Sequence, residues 1–212
     1  MKLTILRRLL PLALTACFGV AHAQFAFSNV SATYSMNPNS GTINWLVNPD
    51  TVNGTIDFTQ NAPAFKVGGS TIYTDGLSTI TYDVTSTNPI WGAVLVFQGD
   101  LELGGEINIT DTATSGANTL ATSFARYTGS SYAGGVDGAF THVVNLGFNQ
   151  AVTSFSISEQ IAIDDSNNNP PTASLALVGT VEHNFSTTPV PEPASLAGLA
   201  LGAIALLRRK RK

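Results

Sequence analysis

The side chains best suited to chemistry are few. Between residues 24 and 189 there are two histidines, His142 and His183, each inside an alternating apolar–polar run of the kind that forms a strand. Neither has metal-ligand spacing, and no H-E-x-x-H, G-x-S-x-G or Cys–His arrangement accompanies them. Both read as half-buried or surface strand residues. Paired carboxylates can cleave glycosides, because one acid and one base or nucleophile suffice. Glu159 is the carboxylate to consider, since it occupies the apolar phase between Ile157 and Ile161, where burial would raise its pKa. A bulge that turns it outward, or a strand end, is the reading favoured over burial. Glu102 and Glu106 share a polar face about two pleats apart, as surface carboxylates often do.

Asp165-x-Asn167-x-Asn169 resembles the start of an EF-hand loop, and Ca²⁺ wants six to eight oxygens. Pro170 stands where the glycine is needed, and Ala176 rather than glutamate fills the twelfth position. The run from Asp164 to Asn169 therefore reads as a solvated hairpin loop, with Asp164 and Asp165 as weak Ca²⁺ ligands at most. No metal and no cofactor are expected. Among the aromatics, Trp45 sits between Ile43 and Val47 and should pack in the core. Tyr127 and Tyr132 flank Gly129-Ser130-Ser131, an apparent loop, and are the pair best placed to stack on a sugar.

The elements that must position these residues are strands. Helical periodicity is nearly absent, and period-two alternation recurs between turn signals. Leu101, Leu103, Gly105, Ile107 and Ile109 share one face. Phe155, Ile157, Ile161 and Ile163 share another, as do Ile80, Tyr82 and Val84, and Leu175, Leu177, Gly179, Val181 and Phe185. Trp91 to Phe97 is a near-continuous apolar run, which predicts a central strand buried on both faces. Asn53-Gly54 and Asp75-Gly76 predict tight turns, Gly68-Gly69 a link between short strands, and Gly134-Gly135 with Asp137-Gly138 a longer loop. Ten to twelve short strands are expected. The fold class is all-β, an antiparallel β-sandwich, jelly-roll-like rather than parallel.

Charge excludes one class of function. Lys66 and Arg126 are the only cations between residues 24 and 189, against thirteen carboxylates, a net of −11. Such a field repels phosphate backbones and argues against nucleic acid as a partner.

The remaining cations sit at the two ends. Lys2, Arg7 and Arg8 precede an apolar run from Leu9 to Val20 and an Ala21-His22-Ala23 site, which together predict a signal peptide over 1–23, cut by signal peptidase to leave Gln24 first. Leu14-Thr15-Ala16-Cys17 also resembles a lipoprotein box, in which Cys17 would be lipidated, although Phe18 to Ala21 continues the apolar run. Cys17 is the chain's single cysteine, so a mature chain starting at Gln24 has no thiol, which suits an oxidising exterior. At the other end, Pro191-Glu192-Pro193 precedes an apolar run over 194–207 and the cluster Arg208, Arg209, Lys210, Arg211 and Lys212. Fourteen residues span about 21 Å as a helix, against about 30 Å of bilayer core. Such a helix is marginal alone, and its basic end should stay in the cytoplasm.

This tail, over 190–212, resembles the PEP-CTERM sorting tail, with the match falling on Pro191, Glu192, Pro193 and the basic cluster. The resemblance implies recognition by an exosortase, a membrane cysteine transpeptidase of Gram-negative bacteria that make exopolysaccharide. The Pro-x-Pro segment favours extended backbone, the form a protease groove accepts. The organisation read from the sequence is thus a signal peptide (1–23), a β-sandwich ectodomain (24–185), a polar stalk (186–189) and a sorting tail (190–212). The resemblance implies a non-enzymatic protein, exported through the inner membrane, transiently anchored, and finally at the cell surface or in the extracellular matrix. There it would be a structural or adhesive component of biofilm. The alternatives are a lectin-like carbohydrate-binding module acting through Tyr127 and Tyr132, and a polysaccharide-active enzyme acting through Glu159.

Overall fold

The computed structural model describes residues 24–187 except 39, 70 and 166–173. The signal-peptide and sorting-tail assignments, and Ser166 to Asn169 of the acidic loop, lie outside the described residues. All regular elements among the described residues are strands: β1 (Phe25–Asn37), β2 (Ile43–Asn44), β3 (Leu46–Asp50), β4 (Thr55–Thr59), β5 (Lys66–Gly68), β6 (Asp75–Glu102), β7 (Glu106–Ser115), β8 (Asn118–Thr128), β9 (Gly138–Asp164) and β10 (Leu175–Ser186). Every pairing is antiparallel.

Two of these strands are far from short. β6 has 28 residues and β9 has 27, and they pair along almost their whole length. Their register breaks between Thr85 and Gly92. Before the break β6 also pairs with β1, and β9 continues on to β7 and β8. After it, β6 pairs with β10, which carries β4 and β5. The sheet therefore folds over at the break, and its two halves face each other. Contacts across the gap are direct: Phe27 and Phe155 reach Phe185 at 6.0 and 5.4 Å between ring centroids, and Phe58 reaches Tyr82 at 5.9 Å.

The core between the halves is built from the period-two residues. Ile80, Val84, Ile107, Ile109, Ile157, Ile161 and Ile163 on one side meet Ile56, Phe58, Leu95, Phe97 and Val181 on the other, all essentially without solvent contact. Each such side chain contributes roughly 1.5–3 kcal/mol of transfer free energy. Trp45 is also buried, and its Nε1–H donates to Ser78 Oγ at 2.9 Å.

Several local expectations need correction. Trp91 to Phe97 lies in a central strand between β9 and β10, but it is buried on one face only. Trp91 is exposed and Val94 and Val96 are half-buried. Asp75-Gly76 opens β6 instead of turning the chain. Gly76 is required there because a Cβ would press on Phe65, Ile163 and Met36. Residues 101–109 are not one strand. The chain turns at Leu103–Gly105, so Glu102 ends β6 while Glu106 starts β7, and the two do not share a strand face. Leu103 makes this turn at a φ of 49°, a region costly for a side chain with a Cβ. Leu103→Gly is expected to raise stability by about 1 kcal/mol, read as a higher urea midpoint at unchanged slope. No gain would mean that Leu103's own packing offsets the strain.

In β10 the alternation slips. A register shift between Val178 and Thr180 makes Gly179 an extra residue, so the buried face passes from Ala176 and Val178 to Val181, His183 and Phe185. Leu177 falls on the other face, only partly buried.

Candidate functional site

Five polar side chains from five strands meet inside the fold. Glu159 keeps its place in the apolar phase of β9, because its register with β6 and β7 is unbroken from residue 156 to 164. No bulge turns it outward, and it is fully buried, which corrects the favoured reading. His183 is neither on the surface nor half-buried: it keeps the phase of Val181 and Phe185 on the buried face of β10, with no exposure. Glu159 Oε2 and His183 Nε2 lie 2.8 Å apart across the gap between the layers. The Tyr82 hydroxyl contacts His183 Nδ1. On the other side of Glu159, Asp111 of β7 is its direct cross-strand partner, and Asp111 Oδ2 accepts a hydrogen bond from Ser123 Oγ of β8 at 2.6 Å.

Burial dominates the electrostatics of this chain. It pushes the Glu159 carboxyl up to about 8 and the Asp111 carboxyl up to about 7, where the Glu159 charge adds to the effect. It lowers His183 to about 4 and holds the Tyr82 phenol well above its ordinary range. The two carboxyls touch each other in a closed interior, so no sugar can enter between them as a hydrolytic pair requires. The arrangement can hold a proton; it cannot present one to a polymer outside. Sequence reasoning misses Asp111 and the polar role of Tyr82. The signal for Asp111 is its phase with Ile107, Ile109 and Ala113.

The surface residues separate from one another. Tyr127 belongs to β8, not to a loop, and stacks on Phe140 with ring centroids 4.9 Å apart. Burial raises its hydroxyl to about 12. His142 is half-buried beside it, at 4.8 Å. Tyr132 does lie in the loop between β8 and β9, and the Arg126 guanidinium sits 5.7 Å from its ring. Arg126 also donates to Glu106 Oε2 at 2.8 Å, and Tyr132 bonds the same carboxylate, so Glu106 is held below its usual range despite partial burial. Asp164 ends β9 opposite Asp75 and Glu106. Asp165 is buried, and burial, with Asp164 and Asp75 nearby, raises it to about 6. Among the described residues no group of three His, Cys, Asp or Glu is placed to hold a metal ion.

The outer face of the β1–β8 layer has a regular chemistry. Ser31, Thr81, Ser158, Thr112 and Thr122 form one row across five neighbouring strands, and Thr33, Thr79, Gln160 and Thr110 lie in the next, which ends on the exposed Phe124 of β8. Strand spacing places such groups about 4.8 Å apart across the sheet and about 6.8 Å apart along it. Neither row contains a charge.

A family model for the PEP-CTERM protein-sorting motif matches residues 189–212. This chain carries a PEP-CTERM sorting motif. The match covers Pro191, Glu192, Pro193 and the whole basic cluster. No curated protein matches the chain. Among solved structures, similarity is found to TmCBM61 in complex with β-1,4-galactotriose, at 10% identity over 78% of this chain and 90% of that one, with a TM-score of 0.31. It is also found to the CBM36-1 domain of a multidomain xylanase from the hindgut metagenome of Trinervitermes trinervoides, at 11% identity over 76% and 100%, TM-score 0.28. A third is a family 11 carbohydrate-binding module from Clostridium thermocellum in complex with a mixed-linked tetrasaccharide, at 8% over 79% and 91%, TM-score 0.27.

Proposed function

We propose that this chain is an exported β-sandwich protein without catalytic activity, which an exosortase-like transpeptidase delivers to the cell surface or the exopolysaccharide matrix as a structural or adhesive component. The PEP-CTERM motif at 189–212 carries this reading. Two features of the ectodomain support it. Its uncharged rows of Ser, Thr and Gln offer donors and acceptors in both senses, which suits a neutral polyol polymer. Its titratable cluster is closed to solvent, which suits a core element better than a reaction centre.

The test is intact mass of the native protein from inner membrane, outer membrane and culture matrix. A matrix species that starts at Gln24 and lacks the residues beyond about Pro193 is the expected result. A species that keeps Arg208–Lys212 and stays in the inner membrane would sink the sorting reading and leave a simple anchored domain.

A further inference from the structure

One histidine tautomer gives every hydrogen of the buried chain an acceptor. The Tyr82 hydroxyl reaches His183 Nδ1, and in the tautomer in which that hydroxyl donates, Nδ1 is the acceptor and carries no proton. The ring's proton is then on Nε2 and is donated to Glu159 Oε2. Asp111 Oδ2 is served by the Ser123 hydroxyl. Two oxygens remain, Asp111 Oδ1 and Glu159 Oε1, both buried and, as carboxylate atoms, without a hydrogen-bond partner. They belong to residues directly opposite each other on β7 and β9. A single proton on either carboxyl makes one a donor to the other and completes the chain. With no proton there, two acceptor-only groups face each other in a medium where like charge is poorly screened.

We propose that Asp111 and Glu159 share one proton in the folded protein, and that this proton is a pH-released latch between the two layers. With the proton in place, Ser123, Asp111, Glu159, His183 and Tyr82 form an unbroken chain from β8 through β7 and β9 to β10 and back to β6. Without it, Glu159 and Asp111 repel, and the clasp across the gap at His183 loosens. No cation stands ready to replace the proton. Of the two in this part of the chain, Arg126 is engaged by Glu106, and Lys66 lies on β5 beside Gly69. The other titratable groups whose fields reach the cluster are Asp57 on β4 and Glu182 on β10, on the outer face of their strands but acting on His183, and the half-buried His142 on β9, on which Asp111 acts. The two acids oppose further negative charge in the core.

The sign follows from linkage. The carboxyl pair holds its proton to about pH 7–8 when folded and would lose it near pH 4 when unfolded. The folded state therefore binds more protons across that window, and stability falls as pH rises through it. His183 acts in the opposite sense, but only between about pH 4 and 6.5, where the unfolded imidazole takes up the proton that the folded one refuses. Above about pH 6.5 the carboxyl pair acts unopposed.

The experiment is thermal melting of the purified full chain from pH 5 to pH 9, for the wild type and for Glu159→Gln. Glutamine keeps an oxygen for His183 and puts an N–H where the shared proton was. The wild type is expected to lose about 5 °C between pH 6.5 and 9, and Glu159→Gln to lose clearly less over the same range. Equal slopes in the two proteins, or a flat wild-type profile, would overturn the proposal. If the variant does not fold, carboxyl-carbon NMR of the wild type decides. One step above pH 6 seen at two carboxyl carbons together supports the latch, and its absence refutes it.

Discussion

His183→Ala will destabilise the fold by about 3–5 kcal/mol at neutral pH, the largest single-residue effect expected outside the apolar core. The residue has no exposure, and from β10 it reaches two groups of the opposite layer, Glu159 and Tyr82. Alanine leaves a cavity beneath Phe58 and Phe97, strands the Tyr82 hydroxyl, and removes the donor that stabilises Glu159. Each loss is of the costly kind, a buried polar group without its partner. The counter-experiment is more instructive than the deletion. Replacing Asp111, Glu159 and His183 by leucine and Tyr82 by phenylalanine together is expected to be near neutral or stabilising, because a buried polar network is costly to break and seldom costly to omit. Denaturant midpoints at constant slope would distinguish the two. A cost below about 1 kcal/mol for His183→Ala would show that the layers hold together without the clasp.

Gly105→Ala comes second, at about 3 kcal/mol. Gly105 closes the turn from β6 to β7, where its N–H bonds Glu102 O at 2.9 Å and its carbonyl accepts from Gly129 at 2.8 Å. A Cβ here would overlap the Leu175 carbonyl at the first residue of β10, and that obstacle is backbone, with no rotamer to relieve it. Either the turn or the start of β10 must move, and β10 is paired there with both β5 and β6. The matched control is Gly116→Ala in the β7–β8 hairpin. Gly116 has a φ of 60° but nothing within 4 Å of an added Cβ, so only the dihedral cost of about 1 kcal/mol applies. If the two variants cost the same, close approach at Leu175 is not what keeps residue 105 a glycine.

What the sequence makes visible follows the physics of period two. Phe155, Ile157, Ile161 and Ile163 keep one phase, and the alternation alone is enough to put Glu159 among them. What stays hidden comes from events that leave no strong residue signature or whose signature the alternation masks. The bulge at Gly179 shifts the phase of β10 by one, so Ala176 and Val178 take the buried face from Leu177, while His183 keeps the phase of Val181 and Phe185. The turn at Leu103–Gly105 does carry a Gly104-Gly105 signal, but the alternation of Leu101, Leu103, Gly105, Ile107 and Ile109 runs straight across it and hides it. The fold in β6 near Pro89 looks like a boundary between two strands, because a strand that passes from one layer to the other interrupts its pattern without reversing the chain. The network itself is assembled from residues 82, 111, 123, 159 and 183, and local pattern cannot register pairs that far apart. On the surface, a tyrosine next to a loop signal reads as exposed, whereas Tyr127 is drawn in by Phe140 on the neighbouring element.

The break in the long strands also sets where the chain enters and leaves. Gln24 bonds the Thr87 side chain, Phe25 bonds Thr51, and Phe185 bonds Gly54, so the first described residues and the end of β10 meet at the folded edge. The open edge opposite gathers Asp75, Glu102, Glu106, Asp164 and Asp165, joined by register or by the turn between β6 and β7. A tail that continues from Ser186 toward the sorting motif therefore departs from the less charged pole. Held by that tail, the domain would stand with its carboxylates outermost, and neighbouring copies on a crowded surface would keep their far ends apart by mutual repulsion within a Debye length of about 8 Å at physiological salt.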